Sequence, residues 1–211
     1  MNREEFIIQL KKDNIILNNN QLDKLEEFYN LLVEWNKKIN LTRIIEKEDV
    51  YLKHFYDSLT ITKAIDLTKI NTLCDIGSGA GFPGIVLKIC YPNLKVTLID
   101  SLNKRVVYLN EVIKKLDLKD IEAIHIRAED YHNKFDIVTA RAVANIEKLL
   151  TYSMHLLNNN GKFIAMKGNI DEELNDNKIK EINKKYKIEN IEKFLLPIEN
   201  SQRSLVTIRN K

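Results

Sequence analysis

The stretch Leu73–Gly84, LCDIGSGAGFPG, places four of the six glycines of this 211-residue chain within eight positions. Glycine is costly to order, so it is favoured where the backbone needs a positive φ or must lie against a ligand. A short apolar strand is predicted at 72–76, directly before the glycines, and a helix at 83–90 directly after them. In doubly wound α/β sheets, such a turn is where a nucleotide binds. The stretch therefore predicts a nucleotide-binding α/β fold.

The sequence around this stretch alternates short β-branched runs with helical patterns. This alternation predicts a mostly parallel, seven-stranded sheet with helices on both faces. The strands are predicted at 72–76, 95–100, 121–126, 135–140, 162–167, 188–196 and 203–209. The connecting helices are predicted at 83–90, 103–116, 144–157 and 171–185. No helix separates the last two strands, so they are predicted to form an antiparallel hairpin.

The first third of the chain has a different pattern. Apolar residues recur at steps of three and four, which predicts helices rather than strands. These helices are expected at 3–12, 20–41 and 47–65. The domain organisation predicted from this change is an N-terminal helical cap, residues 1–66, packed on a domain formed by residues 67–211. Trp35 and Phe55 are expected to pack the cap on the sheet.

Composition excludes several classes of protein. The hydrophobic fraction of 44% and the charged fraction of 30% are typical of soluble globular proteins. No apolar run is long enough to cross a membrane, and the N-terminus lacks a secretory signal, so a cytoplasmic location is expected. Cys74 and Cys90 lie in apolar runs without metal-ligand spacing, so we expect two buried, reduced thiols and no metal. A net charge of +3 does not by itself identify a nucleic-acid binder.

The glycines satisfy two nucleotide-binding patterns. Gly79-x-Gly81-x-x-Gly84 matches the dinucleotide fingerprint, and Asp100 follows about 20 residues later at the end of the second strand. On this interpretation the protein is an NAD-dependent oxidoreductase.

The second pattern starts two residues before the first glycine. Asp75-x-Gly77-x-Gly79-x-Gly81 resembles the first motif of the class I S-adenosylmethionine-dependent methyltransferases, and this resemblance implies that Asp75 is a cofactor-binding residue. In that family an acidic residue at the end of the second strand binds the ribose hydroxyls, the position that Asp100 occupies here. The predicted seven-stranded order with a final hairpin also resembles this Rossmann-like fold. The methyltransferase interpretation is therefore favoured over the oxidoreductase.

The sequence also limits which acceptor atoms could be methylated. Attack on pyrimidine C5 needs an accessible thiolate, and both cysteines are expected to be buried. Enzymes that methylate exocyclic amines typically have an (Asp/Asn)-Pro-Pro-aromatic motif after the fourth strand. This chain reads TARAVAN (139–145) there and has no proline, which disfavours that subfamily. An acceptor that is already nucleophilic, such as guanine N7, remains. It needs alignment more than a general base, so no catalytic residue is assigned.

Longer motifs resemble one family closely. DIGSGAGFPGIVL, LIDSLNKRVVYL, RAED, ARAVANIEKLL and MKG, preceded by WNKKINLTRI and HFYDSL, are similar to the bacterial 16S rRNA guanine-N7 methyltransferases (RsmG-type), also called glucose-inhibited division protein B. This resemblance implies methyl transfer from S-adenosylmethionine to N7 of guanine 527. It implies 16S rRNA or the small ribosomal subunit as the partner, and a monomeric enzyme.

The same resemblance implies cofactor contacts at Gly77, Phe82, Ala128–Glu129 and Arg141. Gly77 would let the backbone approach the cofactor, as would Gly79. Ala128–Glu129 would hold the adenine edge. Arg141 would pair with the cofactor carboxylate or contact the target nucleotide. His54, on a helix far from the loop in sequence, is expected to be structural.

Two alternatives to an rRNA methyltransferase stay open besides the oxidoreductase. A methyltransferase of small molecules or proteins would share the fold, because fold does not determine substrate. A non-catalytic RNA-binding module with a vestigial pocket is disfavoured by the intact glycine loop and Asp100.

Overall fold

The computed structural model describes residues 1–211, and its centre is a seven-stranded sheet. The strands are β1 (Thr72–Ile76), β2 (Lys95–Asp100), β3 (Ile121–His125), β4 (Phe135–Arg141), β5 (Leu157–Lys167), β6 (Tyr186–Leu195) and β7 (Gln202–Asn210). Their order across the sheet is β3-β2-β1-β4-β5-β7-β6. Strands β1 to β5 pair in parallel, whereas β7 is antiparallel to β5 and β6. The predicted class, including the final hairpin, is confirmed.

Helices precede the sheet and cover both of its faces. They are α1 (Arg3–Lys12), α2 (Asn19–Ile39), a composite helix α3 (47–63), α4 (Gly84–Cys90), α5 (Asn103–Lys115), α6 (Ile146–Ser153) and α7 (Asp176–Lys185). Single 3-10 turns lie at Leu67–Lys69, Ala128–Asp130 and Met154–Leu156.

The composite helix α3 differs from the regular helix predicted over 47–65. It consists of short pieces: α-helix at Lys47–Val50, π-helix at Tyr51–Tyr56, α-helix at Asp57–Leu59 and 3-10 helix at Thr60–Lys63. Five of the six side chains of the π-helical piece are buried, which exceeds the single apolar stripe of an ordinary surface helix. Such π-helical turns are rare and are frequently found at functional sites.

Two other elements begin about five residues from their predicted starts. Helix α7 begins at Asp176 rather than near 171, because the Asn175 side chain caps it by accepting the Lys178 N–H. Strand β5 begins at Leu157, inside the helix predicted over 144–157, and its pairing with β4 shifts register after the first pair. The three consecutive asparagines at 158–160 are poor helix formers, so the helix stops before them.

The sheet separates two apolar cores. Alternate residues of the central strands face opposite sides, so that Leu98 joins one core while Ile99 joins the other. The larger core contains 37 buried residues and includes Phe28 and Phe55 from the N-terminal helices as well as Leu98. Trp35 packs on Tyr108 of α5, with ring centroids 5.7 Å apart, and borders the same core. The division into residues 1–66 and 67–211 stays a prediction.

Candidate functional site

A large cleft lies at the carboxyl ends of the parallel strands. Strand β1 has β2 on one side and β4 on the other, which is the topological switch point of the sheet. Open α/β sheets bind their ligands in the crevice at this position. The cleft has a volume of about 960 Å³ and is lined by the loops after β1, β2, β4 and β5, by α3 and by β7.

Five of the eight residues predicted to bind a cofactor line this cleft: Gly77, Gly79, Phe82, Asp100 and Arg141. Asp75, Ala128 and Glu129 do not line it.

The glycine loop enters the cleft through two residues with positive φ. Gly77 has φ +66° and Gly79 has φ +56°, values that side-chain-bearing residues rarely adopt. A Cβ on Gly77 would lie 2.8 Å from a methyl of Val143, so packing already fills that space. A Cβ on Gly79 would meet nothing closer than a backbone oxygen at 3.7 Å. Gly79 is therefore where the loop exposes bare backbone to the cleft.

Asp75 stabilises the glycine loop from a buried position outside the cleft. Its side chain is fully buried, and Oδ2 accepts the Gly84 N–H at 3.0 Å, at the first residue of α4. Oδ1 is buried without a hydrogen-bond partner. Burial raises the pKa of the Asp75 carboxyl to about 7. The geometry gives Asp75 a role in fixing the strand-to-helix turn, and its predicted cofactor contact stays untested.

Asp100 connects the end of β2 to the glycine loop. Its Oδ2 accepts the Gly79 N–H at 2.9 Å, and its Oδ1 accepts the Leu102 N–H at 2.9 Å. Arg105 lies on the rim with Nη1 3.4 Å from Oδ2. A carboxylate has about four acceptor positions, so these contacts leave capacity for a ligand hydroxyl. The spacing argument from the sequence placed Asp100 correctly beside the glycines.

Arg141, at the end of β4, is bonded to the composite helix. Its Nη1 donates to the Lys53 carbonyl at 2.9 Å and to Asp57 Oδ2 at 3.0 Å, and its guanidinium lies over the Phe82 ring. Burial lowers the pKa of Arg141, and the Asp57 carboxylate opposes that shift. The second carboxylate oxygen, Asp57 Oδ1, accepts a hydrogen bond from Nε of Arg203 at 2.9 Å. Asp57 thus bridges two guanidiniums. We call Asp57, Arg141 and Arg203 the arginine wall.

His54 stands beside the arginine wall, although its position in the sequence suggested a purely structural residue. Its ring stacks on Phe82 with centroids 4.3 Å apart, and its Nδ1 lies 3.1 Å from Nη2 of Arg141. Nδ1 also lies 3.2 Å from the Lys53 carbonyl oxygen, and Nε2 lies 3.1 Å from Thr42 Oγ1. Burial and the Arg141 charge lower the pKa of His54 to about 3. The ring is therefore neutral at physiological pH.

Neither spacing nor residue type in the sequence predicts a site role for His54, Asp57 or Arg203. HFYDSL (54–59), a motif of the family resemblance, contains two of them. The residues next to Arg203 in the sequence form no motif that would indicate a site residue.

Ala128 and Glu129 lie in the 3-10 turn after β3. Ala128 is buried, and its carbonyl accepts Nε2 of His155 at 3.2 Å, whereas Glu129 is exposed. Their predicted contact with an adenine edge remains a prediction.

Three further features concern metal ligands, thiols and membrane-spanning helices. No group of three or more His, Cys, Asp or Glu side chains is placed to hold a metal ion. Cys74 and Cys90 are free and buried, and burial raises the pKa of each thiol. No helix has the length and apolar character needed to cross a bilayer.

Comparison with known proteins distinguishes the two interpretations of the glycine loop. The family described as rRNA small subunit methyltransferase G matches residues 21–206. The ribosomal RNA small subunit methyltransferase G of Bacillus subtilis (strain 168) is 46% identical over 216 residues, covering 99% of this chain and 90% of that protein. The corresponding protein of Bacillus licheniformis is 45% identical, with coverage of 100% and 91%.

Solved structures agree on the fold. A SAM-dependent methyltransferase from Aquifex aeolicus has a TM-score of 0.56 at 18% identity and covers 75% of this chain and 92% of its own. The mitomycin 7-O-methyltransferase MmcR has a TM-score of 0.63 at 15% identity, with coverage of 87% and 60%. The fold is that of the class I S-adenosylmethionine-dependent methyltransferases. The chain belongs to the rRNA small subunit methyltransferase G family, and it is an enzyme whose cofactor is S-adenosylmethionine.

Proposed function

We propose that this enzyme transfers the methyl group of S-adenosylmethionine to N7 of a guanine in 16S rRNA, at nucleotide 527 as the motif resemblance implies. The observation that carries the proposal is the cleft where the glycine loop and Asp100 meet at the switch point, in a chain of this family. The substrate is 16S rRNA, free or in the small ribosomal subunit. We further propose that the enzyme is a cytoplasmic monomer.

The residues of the cleft fit this cofactor. Space for a ligand is open above Gly79, where a side chain would otherwise project, and Asp100 retains acceptor capacity beside it. A volume of about 960 Å³ lies at the upper end of typical ligand sites, which suits a cofactor together with one nucleobase. The excess of basic over acidic side chains in the lining suits a polyanionic substrate.

The residues predicted to bind the cofactor have proposed tasks, whether or not they line the cleft. Asp100 would accept hydrogen bonds from the ribose hydroxyls, and the backbone of 77–80 would lie along the sugar and the amino-acid portion. Phe82 contributes an aromatic ring to the cleft lining, and the His54 ring stacks on one face of it. Ala128 and Glu129 would reach the adenine edge. Asp75 would act by holding the turn in place.

Guanine N7 carries a free lone pair and loses no proton when it is methylated. When bound, S-adenosylmethionine supplies a methyl group already activated for direct transfer. The protein then has to align the acceptor and exclude water, and it needs no general base. The one histidine of the cleft suits this chemistry, because burial and the Arg141 charge lower the pKa of His54 to about 3 and make its ring a poor proton acceptor.

The proposal is tested on rRNA from cells that lack this protein. Mass-spectrometric mapping of modified nucleotides should find one N7-methylguanosine of 16S rRNA missing. The wild-type protein should restore it, and a Gly79→Ala variant, which narrows the cofactor cleft, should restore it poorly. An unchanged modification pattern, or loss of a methyl group from a different atom, would contradict the proposed function.

A further inference from the structure

The cations of the cleft are not equally neutralised. Five basic side chains line it, against three acidic ones. Lys53 pairs with Asp49 and Glu199, and the other cations meet the acidic lining residues. These other pairs are Arg105 with Asp100, Lys167 with Glu173, and both Arg141 and Arg203 with Asp57. The arginine wall therefore carries two positive charges against one negative charge.

The two arginines of the wall differ in what their donors do. Arg141 uses Nη1 on the Lys53 carbonyl and on Asp57, and it directs Nη2 towards His54. Arg203 donates from Nε to Asp57 and from Nη1 to Ser201 Oγ and to its neighbouring carbonyl. The Nη2 of Arg203 makes no hydrogen bond within the protein. Arg141 also keeps unpaired N–H groups, but they are divided between Nε and Nη2, whereas those of Arg203 lie together on Nη2. The side chain of Arg203 is also the more exposed of the two, at 22% against 13% for Arg141.

Arg203 is also held in position. Three hydrogen bonds fix its guanidinium plane, and its side chain is 22% exposed, as part of the cleft lining. An immobilised guanidinium with a free edge loses little entropy when it binds an oxyanion, because its orientation is already set. Asp57 determines that orientation through Nε. It is a positioning residue for Arg203.

We propose that Arg203, oriented by Asp57, is the oxyanion-binding group of this cleft. The ligand is a singly charged oxyanion, and two sources present that chemistry here: the carboxylate of the cofactor and a phosphodiester of the RNA. This inference rests on the proposed function. Arg141, for which the family resemblance implies either the cofactor carboxylate or the target nucleotide as ligand, fastens α3 to the sheet.

The test uses Arg203→Met in the full-length protein and three ligands. S-adenosylhomocysteine carries the carboxylate, and 5′-methylthioadenosine lacks it but keeps the adenosine portion. Calorimetry gives the affinity for each, and filter binding gives the affinity for 16S rRNA at several salt concentrations. Wild-type protein that binds neither adenosine ligand would count against the proposed function, whatever the variant does.

Two outcomes support the inference and identify the source. If the cofactor carboxylate is the ligand, Arg203→Met lowers affinity for S-adenosylhomocysteine at least tenfold and leaves that for 5′-methylthioadenosine unchanged. If an RNA phosphate is the ligand, both adenosine ligands bind as before, rRNA binding weakens and its salt dependence becomes shallower by about one counterion. In either case Asp57→Asn, which weakens the positioning contact, should reproduce part of the loss.

Two other outcomes overturn it. If Arg203→Met binds all three ligands with the affinity of the wild-type protein, Arg203 binds no anion. An equal loss for both adenosine ligands would mean that Arg203 only shapes the cleft. Should Arg203→Met fail to fold, the same measurements on Arg203→Lys decide, because lysine keeps the charge but loses the planar fork. An oxyanion site then predicts a partial loss confined to one source.

Discussion

The two sides of the cleft are built in different ways. On one side, the glycine loop and Asp100 come from neighbouring strands and meet through backbone groups, with Asp100 accepting the Gly79 N–H. On the other, Asp57 joins Arg141, 84 positions away, and Arg203, 146 positions away. The first side exposes bare backbone, whereas the second is a buried ionic junction between helix and sheet. Changes on the first side should therefore act mainly on ligand affinity, whereas loss of the shared carboxylate on the second side should act mainly on stability.

The largest effect is expected from Asp57→Ala. Removing this carboxylate leaves two guanidiniums facing each other in a largely buried place, and breaking a buried ion pair in this way costs about 3–5 kcal/mol. The free energy of unfolding from urea titration should fall by that amount. Asp49→Ala, which removes an exposed partner of Lys53, is the matched control and should cost less than about 1 kcal/mol. Similar small losses for both variants would show that the arginine wall is no stability element.

Gly79→Ala tests the opposite side. At φ +56° an alanine costs roughly 1–2 kcal/mol of stability, so the protein should stay folded. The added methyl group projects into the open cleft, and affinity for S-adenosylhomocysteine should fall tenfold or more in calorimetry. Gly168→Ala is the control: Gly168 lines the same cleft near the wall, without positive φ, and its methyl would meet nothing closer than the Gln202 carbonyl oxygen at 4.0 Å. Equal affinity in both variants would remove the glycine loop from the cofactor site.

Asp100→Asn should have a smaller effect on the same side. The amide keeps the shape and one acceptor but loses charge-assisted hydrogen bonds, which are worth roughly 1.5–3 kcal/mol each. Affinity for S-adenosylhomocysteine should drop about tenfold. Asp117→Asn removes an exposed carboxylate that pairs only with Lys119, and it should leave the affinity unchanged. If the two substitutions behave alike, Asp100 does not contact the cofactor.

The same contrast explains what the sequence could predict. The sheet, the glycine turn and Asp100 follow from local patterns: buried β-branched runs, glycine spacing and the position at which a strand ends. The π-helical turn of α3 has no such signal, because its six residues read as an ordinary helix. Its docking on the sheet brings His54 and Asp57 to the cleft, and only the folded hairpin brings Arg203 to Asp57.

Asp75 illustrates a different difficulty. Its position in the glycine motif predicts a ligand contact, yet its carboxylate points to the start of α4. Residue type and spacing are the same for both roles, so the sequence alone does not distinguish them.

A change of pH should have the smallest effect on the rate of methyl transfer, because we expect no proton transfer in this step. The central claim is methylation of a ring nitrogen without a general base. Single-turnover methyl transfer to saturating 16S rRNA, followed between about pH 6.5 and 9, should proceed at a nearly constant rate. A required base with a pKa in that range would add a limb to the profile. His54, with its pKa lowered to about 3, adds none.

Asp75 is the group near the cleft whose pKa, at about 7, lies within that range. A raised carboxyl pKa favours folding below that pH, and this contribution is lost as pH rises from about 4 to 7, so Asp75 affects stability rather than transfer. Asp75→Asn is therefore the control for the profile. A flat rate in both proteins is the result we predict. A rise of slope one that persists in Asp75→Asn would mean that a deprotonation precedes transfer, and it would contradict guanine N7 as the acceptor.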